Sequence, residues 1–301
     1  MLCILATPKQ MNSFWKICKN FNEIERSLII RNPKRHRITS ILFITTVFCI
    51  YTIFYLLDLL TWHANYEKID CAYTLLKDFI PFYVLKYIML TEILFFCHLV
   101  YFTSFRIVYL VESLKKIIKE RIFDVSGFEN GEIKVLPPTM TYNMKINDTA
   151  LRVYQLATVH KKLVETIEII NGTGGFVIVI ILFSVMIHLV VSPYFLVSEL
   201  EKGRNSSMIF VSLQCMWIIA HAGKFFIVME TCNHCGSKSE ELFIVVQKLF
   251  VQEKVVKTKT ALLNLIIQLK LCKTQINILG LFKLDRSLLT GVSNIFFKCK
   301  N

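Results

Sequence analysis

The chain has 301 residues, 54% of them apolar, with 24 Phe against 10 Gly and 6 Pro and a mean hydropathy of +0.52. That is too apolar for a soluble domain of this length, so much of its surface must meet lipid. The net charge of +13 would suit nucleic acid, but the Lys and Arg lie in separated blocks between apolar stretches, and no nucleic-acid partner is expected. No run of alternating ten-residue segments marks a transmembrane barrel, which leaves helices as the spanning elements.

In chain order, the apolar opening Leu2 to Ala6 meets Pro8 and Lys9 at once. It is too short for a signal-peptide core and is read as the stump of an earlier helix. Residues 1–37 form a segment with eight Lys and Arg, ending in the cluster Lys34, Arg35, His36 and Arg37. Residues 38–60 and 80–102 are each long and apolar enough to cross a hydrocarbon core, which takes about 20 residues, so 38–102 holds the first two spans. Beyond Phe105 the pattern turns amphipathic. Ile107, Leu110, Val111, Leu114, Ile117 and Ile118 share one face and Lys115, Lys116, Lys119 and Arg121 the other, which predicts a helix continuing to about residue 122.

Residues 123–149, with Gly127, Gly131 and Pro137-Pro138, read as an irregular loop. A second polar-faced helix is expected to start at Asp148 or Thr149, with a buried stripe of Leu151, Leu156, Val159, Leu163, Val164 and Ile167. It completes a cytoplasmic segment, 103–173. Residues 174–197 and 207–229 are the next two spans, within 174–229. Residues 230–287 are expected to hold two cytoplasmic helices, 240–256 and 257–278. The apolar run 288–297 is too short to span, and 288–301 is read as a truncated final helix. The expected fold is thus an all-α membrane protein with four complete transmembrane helices, a partial one and long cytoplasmic helical extensions.

Orientation follows from charge. The segments 1–37, 103–173 and 230–287 carry eight, ten and nine Lys and Arg, whereas the loops between paired spans carry only Lys68 with Lys77 and Lys202 with Arg204. The positive-inside rule puts the N-terminus and both long connections in the cytoplasm. Of ten cysteines only Cys71 then falls outside, so free thiols are expected. The sequons at Asn147 and Asn171 fall inside, and the one at Asn205 sits in a loop too short for glycan transfer.

Three short motifs were weighed for chemistry. Gly172-Thr173-Gly174-Gly175 follows no strand, and is read as small residues that let helices approach closely. Cys232-Asn233-His234-Cys235 offers three ligands where a structural zinc needs four. Ser113-Leu114-Lys115-Lys116 matches an acylase pattern by chance, on a charged helix. No constellation points to an enzyme, a cofactor or a metal.

The informative polar residues lie inside the spans. Glu92 stands near the middle of its helix, where an ionised side chain costs about 2.5–3.5 kcal/mol, and should face other helices. Tyr51, Tyr55, Asp58, Tyr83, Tyr87, Glu92, His188, Gln214 and Trp217 are the candidate ligand-binding set. The competing reading is that Glu92, His188 and Gln214 are packing residues and the Tyr and Trp are interface anchors.

The order of features resembles the insect gustatory receptor family, within the insect chemoreceptor superfamily. Phe14-Trp15 ahead of a basic stretch looks like the family's approach to its third helix. Val159-His160-Lys161-Lys162-Leu163 with Ile170-Asn171 and Gly174 resembles its fifth-helix entry, and residues 232–241 resemble the stretch after the sixth. Leu281-Phe282-Lys283-Leu284-Asp285-Arg286-Ser287-Leu288-Leu289 is similar to the entry into the seventh, with Phe282, Asp285, Leu288 and Leu289 as motif positions. The four complete spans then match the family's third to sixth helices, the first two being absent and the seventh interrupted by Lys298.

The resemblance implies a ligand-gated cation channel for small-molecule tastants in the plasma membrane. It would be a homo- or hetero-tetramer with related receptor subunits, embedded in the lipid bilayer, and non-conducting as the fragment alone. The rivals are an odorant or internal nutrient receptor, a non-conducting regulator of full receptors, and a secondary transporter. The last would show repeated halves with matched broken helices, and Pro193 has no such counterpart.

Overall fold

Apolar runs this long leave the backbone little choice but to satisfy its own N–H and C=O groups in helices. A computed structural model describes residues 8–28, 33–65, 80–126, 138–201, 208–272, 274, 276–278 and 282–284. It contains helices α1 (Pro8–Leu28), α2 (Pro33–Asn65), α3 (Ile80–Ser126), α4 (Pro138–Glu201), α5 (Met208–Gln252) and α6 (Val256–Leu271). Strands β1 (Asn277–Ile278) and β2 (Phe282–Lys283) form a minimal antiparallel pair. The protein is all-α, and four of its helices are long and apolar enough to cross a membrane. Helices α1, α2 and α4 each begin on a proline, a residue suited to the first turn because its missing N–H would have no intrahelical partner there.

Through α3, α4 and α5 the boundaries differ from the sequence expectation towards continuity. Helix α3 runs through to Ser126 and α4 starts at Pro138, so helix covers both ends of the stretch expected to be loop, and 127–137 lie outside the described residues. No break separates the span at 174–197 from the polar-faced helix before it, and α4 continues through Pro193. Likewise α5 carries the span at 207–229 and the expected helix from Glu240 as one element. Continuing a helix adds a hydrogen bond per residue, while stopping it exposes unsatisfied groups, and α4 runs on through Gly172, Gly174, Gly175 and Pro193 as α5 does through Gly223 and Gly236.

The reverse correction applies at the end. Helix α6 stops at Leu271 instead of reaching Ile278. Thr274 and Ile276 are buried at a period of two, the spacing of extended chain, and the Leu284 N–H donates to the Ile276 carbonyl at 3.3 Å. Phe282 lies in β2. Asp285, Leu288, Leu289 and the run 288–297 lie outside the described residues, as do Cys71 and Asn205.

The described residues pack as two units. The first comes from 32–98 and 174–230 and the second from 6–31, 99–173 and 231–301. In the first unit large apolar side chains face outwards, among them Phe43, Leu56, Val84, Val190 and Phe183, which is 68% exposed. Water would penalise such a surface, whereas lipid favours it. The second unit has the opposite distribution, with Leu110, Leu114, Leu163, Leu242, Val246 and Leu265 buried.

Helix α1 joins that second core through Ile17, Phe21, Ile24 and Leu28, all buried and spaced for one helical face. Each such side chain contributes roughly 1.5–3 kcal/mol relative to exposure. Most of the stripe expected on α4 is buried, but Leu151 is exposed. It sits about 140° around the helix from Leu156, and Val153 takes the inward place instead.

Two glycines of the cluster, Gly172 and Gly174, do not act as expected. A Cβ at Gly172 would meet nothing within 4 Å, and one at Gly174 would meet the Phe96 ring at 3.5 Å, an ordinary contact. Close helix approach is thus no reason for glycine at either position. No disulfide joins the seven described cysteines, and no group of three metal-ligating side chains forms among the described residues.

Candidate functional site

Within the first unit, α2, α3 and α5 bring their aromatic residues to one place. Tyr51 and Tyr55 lie one turn apart on α2, Tyr83 and Tyr87 one turn apart on α3, and Trp217 on α5 completes the group. The Tyr55 ring stands at its centre. Its centroid is 4.6 Å from that of Tyr87, edge to face, 5.5 Å from Trp217, 5.6 Å from Tyr83 and 6.2 Å from Tyr51. Such tilted arrangements set ring edges against ring faces and add about 0.5–1.5 kcal/mol a pair beyond burial.

The phenol hydroxyls mostly have partners. Tyr83 donates to Asp58 Oδ2 at 2.8 Å, Tyr87 to Thr52 Oγ1 at 2.8 Å, and Tyr51 to the Ala220 carbonyl at 2.7 Å. The buried Tyr55 hydroxyl has no hydrogen-bond partner among the described residues.

Three ionisable residues that sequence reasoning passed over complete the cluster. Lys86, on α3 between Tyr83 and Tyr87, holds its ammonium 3.9 Å from the Trp217 ring centroid and 4.3 Å from that of Phe82. Lys224 on α5 is 5% exposed and holds its ammonium 4.7 Å from the Tyr51 ring. His221 is 4% exposed, stacks on His188 of α4 at 4.6 Å and lies against Trp217 at 5.6 Å. The signal that would have found them is the one that singled out Glu92, an ionisable side chain inside an apolar stretch.

Of the expected set, Tyr51, Tyr55, Asp58, Tyr83, Tyr87, His188 and Trp217 come together here. Gln214 shares the α5 face of Trp217 and His221 by helical spacing but is only half-buried. Glu92 is buried, about 200° around α3 from Leu90 of this cluster, so it faces elsewhere.

The electrostatics are unbalanced. Asp58 is within electrostatic reach of Lys86, and His221 within reach of both lysines. Among the described residues, neither ammonium has a carboxylate at ion-pair distance. A lysine at a span's centre costs about 2.5–3.5 kcal/mol on insertion scales, and a desolvated cation–π contact returns about 2 kcal/mol. The rings therefore offset part of the cost, not all of it. The arrangement suits a small molecule that presents a flat or apolar face to the rings and polar atoms to Tyr55, the lysines and the histidines.

Four apolar spans enclosing a polar-aromatic cluster define a multi-pass membrane protein with the architecture of a receptor or channel. Residues 1–294 match the model of the 7tm Chemosensory receptor family, and the chain belongs to that family. A curated relative, the gustatory receptor for sugar taste 43a of Drosophila melanogaster, is 25% identical over 136 residues, covering 45% of this chain and 31% of that receptor. The matched stretch is thus less than a third of the relative's length.

Proposed function

We propose that the chain is a subunit of a gustatory-type receptor, a ligand-gated cation channel in the plasma membrane that assembles with three related subunits to detect a small-molecule tastant. Family membership and the sugar-taste relative support the chemosensory role. The observation that carries the site is the Tyr55-centred cluster, because lipid gives no reason to collect four tyrosines, a tryptophan, two histidines and two lysines inside apolar helices.

The bias of Lys and Arg puts the N-terminus and the second unit in the cytoplasm. On that orientation the cluster lies towards the outer half of the spans, within reach of a ligand arriving from outside. Ligand would favour the open channel by its difference in affinity for the two states.

The test is a dose–response series on a full-length receptor containing this chain. Tyr55→Ala and Tyr87→Ala should each raise the half-maximal concentration about tenfold or more, equal to about 1.4 kcal/mol, at unchanged surface expression. Unchanged curves in both variants would reduce these rings to packing and anchoring.

A further inference from the structure

The unbalanced charge of the cluster carries the reading of the site one step further. Among the described residues two ammoniums, those of Lys86 and Lys224, share it with one aspartate, and Asp58 already accepts the Tyr83 hydroxyl. Lys224 is buried, and among the described residues it has only a ring face, that of Tyr51, as its partner. Ring faces solvate a cation without neutralising it. Among the described residues no carboxylate stands at ion-pair distance from either ammonium, and an anionic ligand would supply that charge.

A neutral polyol would call for a different arrangement. Sugar hydroxyls are recognised by acceptors and donors in balance, and a site for them gains nothing from holding two cations out of water. A carboxylate gains a charge-assisted hydrogen bond from each ammonium it reaches, about twice the strength of a neutral bond. The buried Tyr55 hydroxyl, unpartnered among the described residues, adds a neutral donor. Trp217 and Tyr55, 5.5 Å apart and tilted, present apolar faces for the body of such a molecule.

We infer that the cluster recognises a small organic carboxylate, with Lys224 and Lys86 binding its anionic group and the Tyr55 and Trp217 rings its body. This rests on the proposed function only in taking the cluster as the ligand seat. The contrast with the gustatory receptor for sugar taste 43a is one of charge, because this chain's buried lysines point to an acid anion.

The test uses purified full-length receptor containing this chain, with thermal unfolding as the readout, because a ligand of the native state raises the midpoint whether or not the channel conducts. The probes are lactate, gluconate and benzoate, each against its neutral amide, with sodium chloride at matched ionic strength and glucose and fructose as neutral sugars. At least one carboxylate should raise the midpoint with an affinity tenfold or more above that of its amide, and chloride alone should not. Lys224→Gln should abolish the difference between acid and amide, and Lys224→Arg should keep it.

The comparison of acid with amide needs no variant, so it holds even if Lys224→Gln folds poorly. Equal effects of acids and amides, no effect of any carboxylate, an effect reproduced by chloride, or a carboxylate effect that survives Lys224→Gln with Lys86→Gln would each overturn the inference. The reading of the site is decided separately. Stabilisation by a neutral sugar that Tyr55→Ala removes would keep the ligand seat and discard the anion.

Discussion

Tyr55 and Tyr83 stand 5.6 Å apart, yet their hydroxyls do different things, and substitutions to Phe separate them. Tyr83 donates to a carboxylate, a bond of the class worth about 1.5–3 kcal/mol, so Tyr83→Phe should lower the unfolding midpoint. The buried Tyr55 hydroxyl has no such partner among the described residues, and Tyr55→Phe should leave stability unchanged or raise it by about 1 kcal/mol, because a buried unsatisfied group is removed. Thermal unfolding of both variants in detergent checks the pair; a larger loss at Tyr55 would contradict this assignment.

A gain is expected at Gly172. It sits inside α4 with open space where a Cβ would stand, so Gly172→Ala should stabilise by up to about 1 kcal/mol through helix propensity alone.

Glu23 supplies a pH dependence. A hydrogen bond and the positive charge of Lys162, aided by Lys19 and Arg26, hold its carboxyl below the usual carboxylate range. A lowered folded-state pKa gives stability that is full above the unfolded value and is lost as pH falls through the lowered one. The midpoint of the native protein should therefore fall more steeply with acid below about pH 4.5 than that of Glu23→Gln. Parallel profiles would show that the pair contributes nothing measurable, the usual result for exposed ion pairs.

At the scale of elements, α1 shows how an amphipathic helix docks by combining an apolar face with a few charges. Its Phe21 ring lies 3.9 Å from the Arg106 guanidinium, Glu25 pairs with that same arginine, and Asn20 donates to Thr166 at 3.2 Å. Lys16 pairs with Glu165 at 2.7 Å, and Glu23 with Lys162. Arg106 is 2% exposed, so its pairing is the least screened of these. Arg106→Met should cost about 3–5 kcal/mol and raise hydrogen exchange in α1 above that in α6. Uniform exchange through the second unit would instead indicate general loss of packing.

The other helices fasten to one another by similar means. Gln268 of α6 donates to the Ala157 carbonyl at 3.0 Å and lies 3.1 Å from His160 Nδ1. Ser104 and His234 share a hydrogen bond at 2.7 Å. His160 and His234 belong to the segments that resemble family motifs, at 159–163 and 232–241. Their contacts give a structural reason for those residue types.

For the whole molecule, the clearest prediction concerns topology. The basic residues along 1–37, 103–173 and 230–287 outnumber those of the two short loops severalfold, and the positive-inside rule then predicts a cytoplasmic N-terminus. A tag at Met1 should be labelled only after cells are permeabilised. Labelling of intact cells would invert the orientation and place the Tyr55 cluster towards the inner face.

The sequence by itself determined the class of the protein, because hydropathy is summed locally and a run of about 20 apolar residues has few fates. It determined the four spans and the amphipathic face of α3 for the same reason, since period and length are read from neighbours in the chain. It also indicated that Tyr51, Tyr55, Tyr83, Tyr87, His188 and Trp217 had no business with lipid. Only the tertiary structure decided that these residues meet, that Glu92 turns away from them, and that Lys86, His221 and Lys224 stand among them. Which face of one span meets which face of another depends on packing between segments up to 169 residues apart, as in the bond from Tyr51 to Ala220. No local pattern encodes that distance.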